Sequence, residues 1–293
     1  MSFDLFFYKK KKSLLTKEDI TVYLDEQISR EHEKASEWFY ENPDTGVYFY
    51  FELSKPDLFN ENPEESLPDF EDLHFSFNLN FMRPDFFGME AFKFVQELIT
   101  VFDLYILNPQ GNAEVPIKES ETSLFQSWLN GNKWASIDYF KEIKASYIHP
   151  GKSSKVWQYN YNKNKLQKEL GDVYFVPTIF FLRKKENNEV ITLSTWFQHI
   201  PTVIPPADFF LLGKEYKHWF KTVKESILVD YDTLIKTFDG DFEDYTPDGS
   251  KIIHPEIAEK IGNKFNRLRS SLHLESFAES IPMENLFNYR PEI

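Results

Sequence analysis

The chain has no cysteine. Disulfides, thiolate zinc sites and cysteine nucleophiles are thereby excluded together, and the composition suits a reducing compartment. Glycine is scarce: the ten present are widely scattered, with Gly240 and Gly249 the nearest pair. A phosphate-binding P-loop, a dinucleotide fingerprint and a serine-hydrolase elbow each need glycines within a few residues of one another, so all three are excluded. The seven histidines never form H-E-x-x-H, which removes helical zinc chemistry of that type. No uninterrupted apolar run is long enough to span a bilayer. The N-terminus places its apolar residues, Phe3 to Tyr8, before Lys9 to Lys12, the reverse of a secretory signal. Basic residues are also in deficit. Lys and Arg number 33 against 47 Asp and Glu, a formal charge of −14, whereas nucleic-acid affinity comes from neutralising phosphates with cations. These absences predict a cytoplasmic protein with no cofactor, no membrane attachment and no nucleic-acid partner.

Aromatic residues are abundant: 30 Phe, 15 Tyr and 6 Trp. A disordered chain does not carry such a load, so a folded core is expected. Phe3, Leu5 and Phe7 alternate with Asp4, Phe6 and Tyr8 as a strand. Thr16 and Asp19 have the spacing of a capping box, ahead of Ile20, Tyr23, Leu24 and Ile28 at helical spacing. A second strand runs from Val47 to Leu53, and a third alternates Phe75, Phe77, Leu79 and Phe81 with Ser76, Asn78 and Asn80. Pro84 disfavours helix at Arg83, so a helix starts near Asp85, followed by a strand at Leu104 to Leu107. The expected fold class is therefore α+β, with a ferredoxin-like βαββαβ half over 1–112 and a second mixed α+β half over 113–293. In that second half the spacing predicts helices at 124–129, ended by Gly131, at 134–144 and at 155–170. A hairpin is expected from Val173–Arg183 and Val190–Phe197, further strands at Phe209–Leu212 and Ile227–Val229, and a helix after Pro255. The tail beyond Ser280 is expected to be held loosely.

Two surface features stand out. The Pro-punctuated stretch Ser54 to Asp72 reads as an acidic loop containing Glu61, Glu64, Glu65, Asp69, Glu71 and Asp72, and a second acidic cluster comprises Asp239, Asp241, Glu243 and Asp244. That second cluster lacks the Gly and Glu spacing of a calcium-binding EF-hand loop, so no metal is assigned to it. Asp208, Glu215 and Lys217 resemble nuclease carboxylates with a lysine but lie too close in sequence for the usual pair of strands. His199, His218 and His254 have no evident partner by spacing. Arg83 is expected to pair with Glu90 or to cap a neighbouring carbonyl, and Asp85 to sit in a helical first turn. The outer face of the first sheet carries Phe6, Tyr8, Tyr48, Tyr50 and Asn78, and burial beneath the second half is the expectation for it.

The segments SFDLFFY (2–8), FNLNFMRPDFFGME (77–90), LYILNPQ (104–110) and IPTVIPPADFFLL (200–212) are similar to a group of uncharacterised bacterial cytoplasmic proteins. Members share the initial strand, an R-P-x-F-x-x-x-E turn into a helix and a P-x-x-x-P-x-x-D-aromatic element. The resemblance, together with the acidic charge, implies a non-enzymatic immunity-like protein that neutralises a basic toxin by direct binding. The ten acidic residues of the two clusters are the candidate contacts. The alternatives are a metal-assisted hydrolase using Asp208, Asp239 or Asp241, and a structural or regulatory subunit of a larger assembly.

Overall fold

Alternation of apolar and polar residues builds the first strand, β1 (Ser2–Lys10), in which Phe3, Leu5 and Phe7 are fully buried. In this computed structural model the described residues are 1–28, 36–54, 67–218, 221–246 and 248–291, without the side chains of 216–218 and 221–223. Helix α1 (Lys17–Gln27) begins with the reciprocal cap expected at Thr16. The Thr16 hydroxyl accepts from the Asp19 N–H at 3.2 Å, and the Asp19 carboxylate accepts from the Thr16 N–H at 2.9 Å. Next come β2 (Glu37–Asn42), β3 (Val47–Leu53), β4 (Phe70–Asn80), α2 (Phe86–Phe102), β5 (Tyr105–Leu107) and α3 (Glu121–Tyr139).

The first sheet has the order β2-β3-β4-β1-β5, and every neighbouring pair is antiparallel. Strand β2 is an addition to the expected element order. Its sequence places Trp38, Phe39 and Tyr40 consecutively, so no apolar alternation marks it. It is nonetheless well anchored, with Trp38 buried and Tyr40 stacked on Phe49 at 4.4 Å. Rings from α2 complete the core: Phe92 meets Phe3 edge-on at 5.7 Å, and Phe94 lies 5.7 Å from Phe51. Each fully buried ring among them, Phe3, Phe51 and Phe92, stabilises the fold by about 1.5–3 kcal/mol.

Helix α3 corrects the expected break at Gly131, since it runs continuously through that residue. A Cβ there would stand 2.7 Å from the Phe81 ring, and one at Gly88 would stand 2.6 Å from the Trp128 ring. Both glycines admit an aromatic ring against a helix backbone, and neither ends a helix.

The chain divides into two compact units, one of Met1–Ile143 with Phe287–Ile293, the other of Lys144–Leu286. The turn at Gly111–Glu114, where a boundary was expected, lies inside the first unit. The second unit contains β6 (Ser146–Tyr147), α4 (Pro150–Leu170), β7 (Phe180–Lys184), β8 (Val190–Phe197), β9 (Thr202–Ile204), β10 (Phe209–His218) and β11 (Lys221–Asp230). It continues with α5 (Tyr231–Thr237), β12 (Glu243–Asp244), β13 (Lys251–Ile253), α6 (Pro255–Ala258), α7 (Gly262–Arg267), α8 (Leu274–Phe277) and β14 (Ala278–Ser280). Its larger sheet has the order β11-β10-β8-β7-β14, with β8 and β10 parallel, and a smaller sheet has the order β12-β13-β9. Trp196 is fully buried among Phe265 at 4.6 Å and Phe238 at 4.9 Å. Helix α4 starts five residues before the expected Lys155, because Pro150 at its first turn and the His149 side chain, accepting from the Gly151 N–H, fix its entry. The single helix expected after Pro255 is two short ones, α6 and α7.

The tail is another correction. Phe287 is fully buried and Asn288 is 2% exposed. The Asn288 side-chain oxygen accepts from the Asp85 N–H at 2.6 Å, and Tyr289 donates its hydroxyl to the Asp85 carboxylate at 2.9 Å. These residues close over the start of α2. The fold class is α+β, as expected. No helix is long and apolar enough to cross a membrane among the described residues.

Candidate functional site

The side of the first sheet away from α2 is built by the residues that alternate with its buried rings. Strand register sets Tyr50 opposite Asn78 and opposite Phe39, Asp4 opposite Asn78, Glu52 opposite Ser76 and Phe6 opposite Ser76. On this face Tyr8, Tyr48, Tyr50 and Asn78 are half-buried. Phe6 is 39% exposed and Phe39 46%, with Phe39 stacked on Tyr48 at 6.0 Å. Carboxylates frame these rings: Asp4 on β1, Glu37 and Glu41 on β2, and Glu52 on β3. Burial first, and then the negative charges of Asp4, Glu52 and Glu37, hold the Tyr50 phenol above its ordinary value. The face is thus both aromatic and electronegative. Its legible signal was the alternation of β1, β3 and β4; Phe39, Glu37 and Glu41 were missed with β2.

The ten acidic residues singled out by sequence do not form one surface. Glu61, Glu64 and Glu65 lie outside the described residues. Asp69 is exposed, while Glu71 and Asp72 belong to strand β4 and not to a loop. Glu71 pairs with Lys9 at 3.3 Å, and Asp72 accepts from the His74 N–H at 2.6 Å. In the second cluster Asp239 is exposed, Asp241 is paired with Lys264, and Asp244 with Lys251. Three of those four carboxylates are therefore matched by a cation or an imidazole of the same chain, since Glu243 contacts His254.

That histidine is the clearest residue the sequence left without a partner. Its Nε2 lies 3.0 Å from Glu243 Oε2, and its Nδ1 lies 2.8 Å from the Tyr174 hydroxyl. The antiparallel pairing of β12 with β13 creates this juxtaposition, which an eleven-residue separation conceals. A Tyr-His-carboxylate line has the outline of a nucleophile beside a general base that a carboxylate orients. Burial, followed by the charges of Glu256 and Glu243, raises the Tyr174 phenol above its ordinary value. The line ties the start of α6 to the β12–β13 hairpin.

Of the carboxylates considered for metal chemistry, Asp241 is paired with Lys264 and Asp208 is engaged elsewhere. Asp208 accepts from the Thr192 N–H at 2.7 Å, the Thr192 hydroxyl at 2.9 Å and the Lys152 ammonium at 2.5 Å. Among the described residues no three His, Asp or Glu side chains come together in a way that could hold a metal ion. Glu215 lies 3.6 Å from Lys224, and the side chains of Lys217 and His218 lie outside the described residues.

Arg83 caps carbonyls, the second of its two expected roles. Its guanidinium donates to the Met82 carbonyl at 2.9 Å and to the Tyr48 hydroxyl at 3.1 and 2.5 Å. Glu90 is buried and accepts from the Tyr40 hydroxyl and the Asn42 amide, each at 2.8 Å.

No protein-family model matches the chain, and neither a curated protein nor a solved structure matches it significantly.

Proposed function

We propose that this chain acts by binding another protein, that the partner is basic, and that binding neutralises the partner as an immunity protein neutralises a toxin. The observation carrying this reading is the outer face of the first sheet, where exposed Phe6 and Phe39 lie with half-buried Tyr48 and Tyr50 inside a frame of Asp4, Glu37, Glu41 and Glu52. Aromatic side chains bury large area with little loss of rotamer freedom, which is why they anchor protein interfaces. Surrounding carboxylates attract a cationic surface and raise its association rate. Of the sequence-derived acids, Glu71, Asp241, Glu243 and Asp244 have partners within the chain. They are weaker candidates for contact than the frame around the sheet.

In this reading the first unit is a ferredoxin-like βαββαβ arrangement widened by β2 at its edge, so that β2 contributes directly to the docking face. The chain works in the cytoplasm, without a cofactor, and its partner is a protein and not a nucleic acid. The test uses the product of the adjacent gene, co-purified with this chain and then studied as a binary complex by surface plasmon resonance. Phe39→Ala is expected to weaken binding by about 10-fold or more. The wild-type association rate is expected to fall about 10-fold between low and physiological salt. Binding that is indifferent to Phe39→Ala, to Glu37→Lys with Glu41→Lys and to salt would remove this reading.

A further inference from the structure

The two edges of the first sheet differ. Beyond β5 the chain caps its own edge: the Ile106 N–H donates to the Ile117 carbonyl at 2.8 Å, and the Ile117 N–H donates to the Ile106 carbonyl at 3.0 Å. Beyond β2 no further strand is paired among the described residues. The β2–β3 register fixes which backbone groups face that side. The Leu53 N–H donates to the Ser36 carbonyl at 2.7 Å, so this opposed couple is of the hydrogen-bonded kind. In an antiparallel ladder the two kinds of couple alternate. Trp38 opposite Phe51 and Tyr40 opposite Phe49 are then hydrogen-bonded, whereas Glu37, Phe39 and Glu41 turn their N–H and C=O groups away from β3.

The same three residues place their side chains on the outer face. All three are exposed, while Trp38 between them is buried on the α2 side. Along the edge the face therefore reads acid, ring, acid. A row of outward N–H and C=O groups is a template for one more strand, and the side chains decide which strand fits. Like charges directly opposite one another destabilise a ladder, whereas opposite charges and apolar pairs stabilise it. A second copy of this chain, paired antiparallel about Phe39, sets Glu37 against Glu41 on both sides of the ring, so the row opposes self-association. A strand with Lys or Arg two residues to either side of an apolar residue sets a cation on each carboxylate and an apolar side chain on the Phe39 ring.

We propose that β2 accepts an extended segment of the partner protein as an added strand of this sheet, and that the segment carries basic residues at alternate positions around a central apolar one. The proposal rests on the reading of the outer face as a docking surface. It adds that the partner is held through the main chain of Glu37, Phe39 and Glu41 as well as through side chains. Main-chain pairing supplies affinity, and the alternate side chains supply selection.

Capped synthetic peptides titrated to millimolar concentration against the full chain, followed by NMR, test it. The probe TKTVTKT has both lysines on the face of its valine, and TTKVKTT has the same composition with the lysines on the other face. Two further probes are TKTVTKT methylated on the valine nitrogen, which removes the donor opposite Phe39, and TKTVTKT methylated on the nitrogen of the preceding threonine, which points away from β2. TKTVTKT is expected to bind and to slow hydrogen exchange at the Phe39 and Glu41 amides. TTKVKTT and the valine-methylated peptide are expected to bind about fivefold more weakly, and the threonine-methylated peptide to bind like the parent. Glu37→Lys with Glu41→Lys, both at exposed positions, should transfer the preference to TETVTET. The proposal is overturned if TKTVTKT does not bind, or if the two methylated peptides bind alike. In the second case docking through side chains still stands, and the response of the partner complex to Phe39→Ala and to salt judges that reading separately.

Discussion

A carboxylate at the start of a helix is normally stabilised by the unpaired N–H groups there, yet Asp85, at that position on α2, is held in the opposite sense. It makes no side-chain capping bond, and its Oδ1 is buried without a partner. Burial pushes its carboxyl up to about 6 from 3.8, against the opposing effect of the Tyr289 hydroxyl bond. A carboxyl group raised in the folded state contributes stability that is fully present below the unfolded value and is lost as pH rises through the folded one. Asp85 should therefore make the protein more stable at pH 5 than at pH 7, by about 1–1.5 kcal/mol, with the rest of the gain arriving below pH 5. Asp85→Asn should abolish that gain, as read from urea unfolding at the two pH values. Asp19 works in the other direction. The Thr16 N–H and hydroxyl hold its carboxyl below the ordinary range, so its contribution is present near neutrality and disappears as pH falls below about 4.

Among the elements, α3 bears most directly on how the first unit is fastened. Asn132, fully buried at the middle of this helix, grips the turn between β4 and α2 from both sides. Its side-chain oxygen accepts from the Arg83 N–H at 3.1 Å, and its amide donates to the Arg83 carbonyl at 2.8 Å. Asn132→Ala leaves a buried donor and a buried acceptor unmet, and should cost about 2–4 kcal/mol, visible as a lowered urea midpoint with an unchanged slope. Asn132→Asp tests the geometry, because only the accepting half of the grip is retained. None of this was legible in the sequence, where Gly131 beside Asn132 reads as a helix stop. The stop signal was overridden because the glycine admits the Phe81 ring. Local chemistry was readable where partners are near in sequence, as in the Thr16–Asp19 box and in the alternating strands β1, β3 and β4. It failed where tertiary contact decides, as at β2, whose three adjacent rings have no strand period, and at His254, whose carboxylate arrives by hairpin pairing. The outer face of the first sheet was half legible for the same reason: Phe6, Tyr48 and Tyr50 follow from alternation, and Phe39 does not.

In the molecule as a whole, the chain leaves the first unit after Ile143 and re-enters it at Phe287, so the first unit is completed only by the last residues. Phe287 is buried against Phe140, with ring centroids 6.0 Å apart. Asn288 and Tyr289 then supply the two hydrogen bonds that Asp85 receives or donates across the start of α2. Ending the chain after Leu286 removes a fully buried ring and both bonds, and should destabilise the first unit by about 3–5 kcal/mol. It should also admit water to Asp85 and return its carboxyl to the ordinary range. The truncated protein would then lose the extra stability that the full chain gains between pH 7 and pH 5. Tyr289→Phe separates the two effects, since it keeps the ring and removes only the hydroxyl that opposes the upward shift. Its pH-dependent gain should begin at a higher pH than in the wild type, with a smaller overall loss of stability than truncation causes. If truncation lowers stability while the rise toward pH 5 persists undiminished, a group other than Asp85 titrates in that window, and the tail serves packing alone.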